Sequence, residues 1–287
     1  MQLGWIGLGH MGVPMALRLR RAGHPLHVYN RTANKTEALV AEGATSLSSP
    51  RELAEQSDIL FIMLADGNAV ESVLRQDDGL LASDLKNKIV VNLSTISPEE
   101  STQFAHLVEQ TGATYLESPV SGSVGVAEAG QLVMLVGGDE ATLETCRPYL
   151  HILGKESIHF GGHGTGSSAK LAINLLLGII GEGLAETFLL AEGAGLDKEK
   201  IIQMISLSGM NTPLFQGKQD MYRKEEFPPA FPLRLMAKDL GLITDAAKRY
   251  HLNLPLAEAA RKQYKQANTS DQADLDMAAI YLSLKNQ

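Results

Sequence analysis

The 287-residue sequence contains one cysteine, Cys146, so no internal disulfide can form. No cluster of cysteines and histidines has the spacing of a zinc site. A chain built this way suits a reducing compartment. Positive charge is in deficit: 25 Lys and Arg stand against 33 Asp and Glu, a formal net charge of -8. That field opposes non-specific binding to nucleic acid or anionic lipid. The start, MQLGWIGLGH, lacks the basic n-region and the cleavage site of a secretory signal, so cytoplasmic residence is the expectation. Internal repeats and low-complexity tracts are absent. The most apolar stretch, residues 171–181, is about half the ~20 residues a membrane span needs, and Asn174 interrupts it. No nucleic acid and no membrane are therefore expected as partners.

Against these absences stands an ordinary globular balance, 44% hydrophobic and 20% charged, which excludes wholesale disorder. At about 150 residues per domain, the length suggests roughly two domains. Residues 1–160 alternate between short β-rich runs and helical stretches. Strands are expected at residues 3–6, 26–29, 59–64, 89–93, 114–116 and 132–136, and helices at 34–42 and 98–110. Ser97 is the expected N-cap of the latter, with Pro98 at its first position. Such alternation predicts a mostly parallel sheet with helices on both faces. After Gly164 the strand signals stop. Helices are expected at residues 167–193, 197–206, 233–250, 255–267 and 274–285. Three prolines within residues 228–232 make residues 225–232 a loop. The long helix carries Gly178, Gly181 and Gly183, each costing about 1 kcal/mol relative to alanine, which implies that another backbone approaches closely there. The expected fold is thus α/β: a Rossmann-type sheet domain over residues 1–163, a long interdomain helix over 164–194, and an all-α domain over 195–287.

The first chemical motif is Gly7-Leu8-Gly9-His10-Met11-Gly12, between the first strand and a helix. Gly7 suits the tight turn, Gly9 lets a pyrophosphate approach the backbone, and Gly12 lets helix and strand pack. The helix N-terminus then offers N–H groups to phosphate oxygens, and Pro14 fits the first turn. The next strand ends at Asn30-Arg31-Thr32, with Lys35 beyond. The carboxylate that usually binds the ribose 2′-hydroxyl of NAD is missing. A guanidinium suits a 2′-phosphate, so NADP(H) is preferred and NAD(H) remains possible. The plainer alternative makes Arg31 and Lys35 solvated surface cations.

The second motif is Gly164-Thr165-Gly166 through Lys170 to Asn174. Lys170 and Asn174, four apart, share one helical face. An ammonium there suits proton donation to a carbonyl oxygen, with Asn174 as orienting partner; a lysine that merely snorkels to water is the alternative. The third motif, Glu117-Ser118-Pro119-Val120-Ser121-Gly122-Ser123, strings hydroxyls and N–H groups around a glycine. It can bind a carboxylate or be a plain turn. Thr95, beyond a strand end, can face a nicotinamide or cap a helix.

These motifs resemble those of the β-hydroxyacid dehydrogenase family over the whole length. Gly7–Met15 is similar to its cofactor signature, Pro119-Val120-Ser121-Gly122 to its substrate signature, Gly164–Asn174 to its catalytic GxGxxxKxxxN, and Lys238-Asp239-Leu240 to its C-terminal KDL motif. Finer features are similar to the glyoxylate/succinic semialdehyde reductase branch: Asn30-Arg31-Thr32, Ser121-Gly122-Ser123, residues 211–218 and residues 227–233. The 3-hydroxyisobutyrate dehydrogenases more often carry an acidic residue after the second strand and a glycine where Ser123 stands. The resemblance implies Lys170 as acid/base, with Asn174 supporting lysine and substrate. It implies Ser121, Gly122 and Ser123 on the substrate carboxylate. Leu64, Ala65 and Thr95 would line the nicotinamide side, although the family often has proline where Ala65 stands. Lys238 would reach the cofactor, and Phe231 and Asp239 would close the cleft. The implied activity is NADPH-dependent reduction of a small carboxylate-bearing aldehyde to the hydroxy acid by a homodimer or homotetramer. The alternatives are an NAD-dependent 3-hydroxyisobutyrate dehydrogenase and a non-catalytic dinucleotide sensor. Imine reduction usually goes without this lysine, and a decarboxylating sugar-phosphate dehydrogenase is larger and needs more phosphate-binding residues.

Overall fold

Apolar runs of four residues alternate with capped helices, and the first half of the chain folds accordingly. The computed structural model describes residues 1–269 and 271–286. The strands are β1 (Leu3–Ile6), β2 (Leu26–Tyr29), β3 (Thr45–Ser46), β4 (Ile59–Ile62), β5 (Ile89–Asn92), β6 (Thr114–Glu117), β7 (Val120–Ser121), β8 (Leu132–Gly138) and β9 (Gly154–His159). They form one sheet ordered β3-β2-β1-β4-β5-β6-β8-β7, with β9 paired to β8. Pairing from β3 to β6 is parallel; β8 runs antiparallel to β6 and β7. The sheet order reverses at β1 and β4, the switch point at whose carboxyl edge open α/β sheets bind ligands.

The helices are α1 (Gly12–Arg21), α2 (Glu37–Ala41), α3 (Pro50–Glu55), α4 (Gly67–Arg75), α5 (Pro98–Glu109), α6 (Val124–Glu128), α7 (Glu140–Leu153), α8 (Thr165–Gly193), α9 (Lys198–Leu207), α10 (Pro213–Lys224), α11 (Leu233–Arg249), α12 (Pro255–Ala267) and α13 (Ile280–Lys285). Two compact units result, residues 1–171 and 172–287, and α8 starts in the first and continues into the second. In the first unit the sheet is covered on both faces. Trp5, Ile59, Phe61 and Val91 enter one core, and Ile6, Leu60, Ile62 and Val90 the other. The period of two along each strand produces this division, and burial on both faces explains why the central strands β1 and β4 are apolar throughout.

Several elements differ from the sequence expectation. The segment expected as one helix at 34–42 is a 3₁₀ turn, Ala33–Thr36, followed by the short α2. The last helix begins only at Ile280, after a 3₁₀ turn, Met277–Ala279. Asp276 caps that turn and is fully buried, held by Lys218 rather than by a helix. Gly178 and Gly181 do meet close neighbours, but these are side chains (Leu240 and Met236; Met277 and Tyr264) rather than a backbone, and Gly183 faces open space. The helix α8 is also longer and more continuously apolar than residues 171–181 suggested. By length and composition it alone, among the described residues, meets the requirement of a membrane span. Gly178 and Gly181 pack onto α11, α12 and the Met277 turn, whereas Leu176 and Leu190 of the same helix are exposed.

Candidate active site

The loop after β1 is shaped by its glycines. Gly7 has φ +97°, and a Cβ there would collide with the Met63 carbonyl at the end of β4. A Cβ on Gly12 would collide with the Gly7 carbonyl, which also accepts the Trp5 indole N–H at 3.0 Å. Gly9, by contrast, faces open space. Leu8 is buried, whereas Gly9 and His10 are exposed and Met11 is half-buried. The chain is thus pressed against its strands on one side and open on the other, at the entrance to a ten-residue helix. These residues fit the pyrophosphate of a dinucleotide: the close approach needs Gly9, and the helix start supplies donors.

At the end of β2 the Asn30 side chain is committed to the protein. Its Oδ1 accepts the Leu8 N–H at 2.9 Å, and its Nδ2 donates to the Thr32 carbonyl at 2.9 Å. Arg31, Thr32 and Lys35 are exposed, and among the described residues neither cation is ion-paired. Leu64 and Ala65 follow β4, half-buried and exposed respectively. Thr95, half-buried, follows β5. Ser97 rather than Thr95 caps α5, through a full capping box with Glu100, and Pro98 opens the helix as expected. The parallel strands thereby bring the residues after β1, β2, β4 and β5 to one carboxyl edge.

Beneath this edge runs a buried polar chain that the sequence did not reveal. The Leu64 N–H donates to Ser94 Oγ at 3.0 Å, and the Ser94 N–H to Asn92 Oδ1 at 3.0 Å. Asn92 Nδ2 donates to the Tyr115 hydroxyl at 2.9 Å. Burial pushes the Tyr115 phenol well up, and the Glu117 carboxylate adds to that, so Tyr115 stays protonated. Ser101 gives its only hydroxyl proton to Glu117, so Tyr115 must donate to Ser101, 3.4 Å away. Glu117 then accepts the Gly166 N–H at 2.8 Å and the Ser167 hydroxyl at 2.7 Å. The chain ends at the first turn of α8, whose next turn carries Lys170, half-buried. The signal for this chain was polar residues, Asn92 and Glu117, closing strands that are otherwise apolar.

The loop Ser121–Ser123 follows β7. Gly122 has φ +143°, and a side chain there would crowd Leu132 and Val126. Ser123 stands at the N-cap of α6, yet its hydroxyl makes no capping bond. Cys146 is buried, and burial pushes its thiol up to about 12, which leaves it inert. No three His, Cys, Asp or Glu side chains among the described residues could hold a metal.

In the second unit, Asn174 Nδ2 donates to Asp239 Oδ2 at 2.6 Å, and Lys238 Nζ lies 3.0 Å from Asp239 Oδ1. Asn174 and Asp239 are almost fully buried. Phe231 is half-buried in the proline-rich loop. Its N–H donates to Asp276 Oδ2 at 3.0 Å, and Asp276 is ion-paired with the buried Lys218.

The chain matches known proteins over nearly its whole length. Residues 2–162 match the NAD binding domain of 6-phosphogluconate dehydrogenase, and residues 164–284 match the NAD-binding domain of NADP-dependent 3-hydroxyisobutyrate dehydrogenase. The chain is 34% identical to glyoxylate/succinic semialdehyde reductase 1 of Arabidopsis thaliana, over 99% of each chain. It is 36% identical to 2-hydroxy-3-oxopropionate reductase of Escherichia coli, over 99% of this chain and 97% of that one. Among solved structures, 3-hydroxyisobutyrate dehydrogenase of Mycobacterium tuberculosis with L-serine superposes with a TM-score of 0.87 at 31% identity, over 99% of this chain and 100% of that one. With both halves matched and full-length relatives above 30% identity, the chain belongs to the β-hydroxyacid dehydrogenase family, as a 3-hydroxyisobutyrate dehydrogenase-like, NAD(P)-dependent oxidoreductase acting on CH–OH groups.

Proposed function

We propose that the protein is an NADPH-dependent reductase of a small carboxylate-bearing aldehyde, glyoxylate or succinic semialdehyde, with Lys170 as general acid. The observation that carries the cofactor preference is the end of β2. Asn30 is committed to Leu8 and Thr32, and the next residue, Arg31, presents an exposed guanidinium where NAD-specific proteins usually place a carboxylate. That arrangement suits a 2′-phosphate, which a planar, bidentate donor matches in shape and charge. Relatives named glyoxylate/succinic semialdehyde reductases support the substrate class.

A bound NADPH supplies a hydride to the aldehyde carbon. Lys170 as an ammonium polarises the carbonyl oxygen and gives it a proton, which leaves the hydroxy acid and a neutral amine. Water then reprotonates the amine. Ser121, Gly122 and Ser123 receive the substrate carboxylate through hydroxyl and N–H donors, and Gly122 gives that loop its turn. Positioned proton transfer of this kind contributes about 10²- to 10⁴-fold in rate. Because reduction needs the ammonium and alcohol oxidation the free amine, the oxidative optimum lies at higher pH. Lys238 and Arg31 contribute to cofactor binding, and Phe231 and Asp239 to the fit of the substrate. A homodimer or homotetramer belongs to the same reading, with the exposed Leu176 and Leu190 of α8 as apolar surface for such an assembly.

A panel assay tests the proposal. Glyoxylate, succinic semialdehyde, tartronate semialdehyde and methylmalonate semialdehyde are compared by kcat/KM with NADPH and NADH, alongside 3-hydroxyisobutyrate with NAD and NADP. The highest value is expected for glyoxylate or succinic semialdehyde with NADPH. Preference for 3-hydroxyisobutyrate with NAD would replace this reading with the dehydrogenase one.

A further inference from the structure

We propose that Glu117 is the positioning residue of Lys170: its buried carboxylate caps and anchors the first turn of α8 and thereby holds the ammonium in place. The inference rests on the reading of Lys170 as proton donor and adds the group that aims it.

The segment entering α8 is Gly161-Gly162-His163-Gly164-Thr165-Gly166, too rich in glycine to hold one conformation by itself. The Thr165 hydroxyl is turned back onto the Gly162 carbonyl, at 2.7 Å. The acceptor for the helix start comes instead from β6. Glu117 Oε1 takes the Gly166 N–H, and Oε2 takes the hydroxyls of Ser167 and Ser101. All three side chains are almost fully buried, and among the described residues no cation pairs with Glu117. Its charge is therefore held by three donors and by the positive end of the α8 dipole.

The sheet makes room for this contact. Glu117 lies opposite Gly137 in the antiparallel β6–β8 pair, and a Cβ on Gly137 would collide with Glu117 Oε1. A Cβ on Gly166 would collide with the Leu135 carbonyl of β8. The helix start is thus pressed onto the sheet and pinned by one carboxylate. Gly166 and Lys170 are four residues apart, one turn along the same face. Play at the Gly166 N–H is passed directly to the lysine. Burying an unpaired carboxylate is costly, and a purely apolar seat would hold a helix more cheaply. A charge at this spot is explained by a need to fix the turn through both carboxylate oxygens.

The test is a double-mutant cycle with Glu117→Gln and Lys170→Ala on the full-length enzyme, using glyoxylate and NADPH. Glu117→Gln is expected to lower kcat about ten- to hundredfold, since misplacement of a catalytic group by about 1 Å costs that much, with the NADPH Kd within about twofold of wild type. On the Lys170→Ala background the same change is expected to alter the residual, single-turnover rate by less than about twofold. Ser167→Ala, which removes one anchor and keeps the charge, is expected to show the same pattern at about two- to fivefold, and it serves where Glu117→Gln fails to fold. A kcat within about twofold of wild type for the folded variant, or an equal fractional loss on both backgrounds, overturns the proposal. Normal turnover of Lys170→Ala alone overturns the lysine assignment first, before Glu117 is touched.

Discussion

Glu182, three turns beyond Lys170 on α8, offers a test of the helical unit that is independent of catalysis. It is 8% exposed, and among the described residues no hydrogen bond or ion pair holds its carboxylate. Burial, with the neighbouring Glu186 adding, pushes its carboxyl up to about 7. The ordinary value of 4.5 applies in the unfolded chain. A folded-state value above the unfolded one means that the folded protein binds more protons between the two. Stability is therefore highest below about 4.5, falls as pH rises through this window, and levels off above about 7. The rise from 4.5 to about 7 corresponds to about 3 kcal/mol at pH 8. At pH 5 less than about 1 kcal/mol of that penalty has developed. Glu182→Gln removes the charge at constant shape. It is expected to stabilise the protein by about 2–3 kcal/mol at pH 8 and by under about 1 kcal/mol at pH 5. Urea unfolding followed by circular dichroism, on both variants at both pH values, measures the difference. Equal gains at the two pH values, or no gain at pH 8, would refute the assignment of a buried, uncompensated carboxylate.

Lys170→Ala is expected to keep NADPH binding and to lose turnover by at least about a hundredfold, read from a fluorescence titration beside steady-state kinetics. Arg31→Ala should raise the KM for NADPH about ten- to hundredfold, the worth of a charged hydrogen bond, and leave the KM for NADH within about twofold. Similar losses with both cofactors would place Arg31 outside the 2′-phosphate contact. Lys218→Met leaves the buried Asp276 without its cation and should destabilise the protein by about 3–5 kcal/mol in thermal or urea unfolding, whereas a change under about 1 kcal/mol would show that the pair contributes little.

The fold was legible where a local pattern coincided with a long-range one. β1 and β2 run over the residues their sequence patterns marked: β1 is buried on both faces, and β2 alternates buried Leu26 and Val28 with half-buried His27 and Tyr29. α5 began where Ser97-Pro98 placed it. The same Ser/Thr-Pro start opens α3 at Ser49-Pro50 and α10 at Thr212-Pro213. α3 is only six residues long and α10 is mostly polar, so their starts stood without an apolar body to confirm them. In α7, Pro148 in the interior masks the helix. β3 and β7, two residues each, exist only through their pairing partners, which no local pattern encodes. Among the candidate site residues, the glycines of the first loop were readable because each has its own steric reason. Glu117 was not, because its partner, the Gly166 N–H, lies 49 residues later in the chain.

Three positions at strand ends share a common device. Asn30 follows β2, Asn92 ends β5 and Glu117 ends β6, and each accepts a backbone N–H from a loop or helix start: Leu8, Ser94 and Gly166. The carboxyl edge of a parallel sheet is where the ladder stops and backbone donors lose their strand partners. Side-chain acceptors at the strand ends take these N–H groups and so tie the loops to the sheet. Each acceptor serves a loop that carries a candidate site residue: Leu8 in the glycine turn, Ser94 beside Thr95, and Gly166 one turn before Lys170. The apolar strands supply stability, whereas the polar residue at each end supplies alignment. Substitution of these acceptors should therefore reduce turnover more than it reduces melting temperature, and substitution of Phe61 or Val91 within the strands should do the reverse.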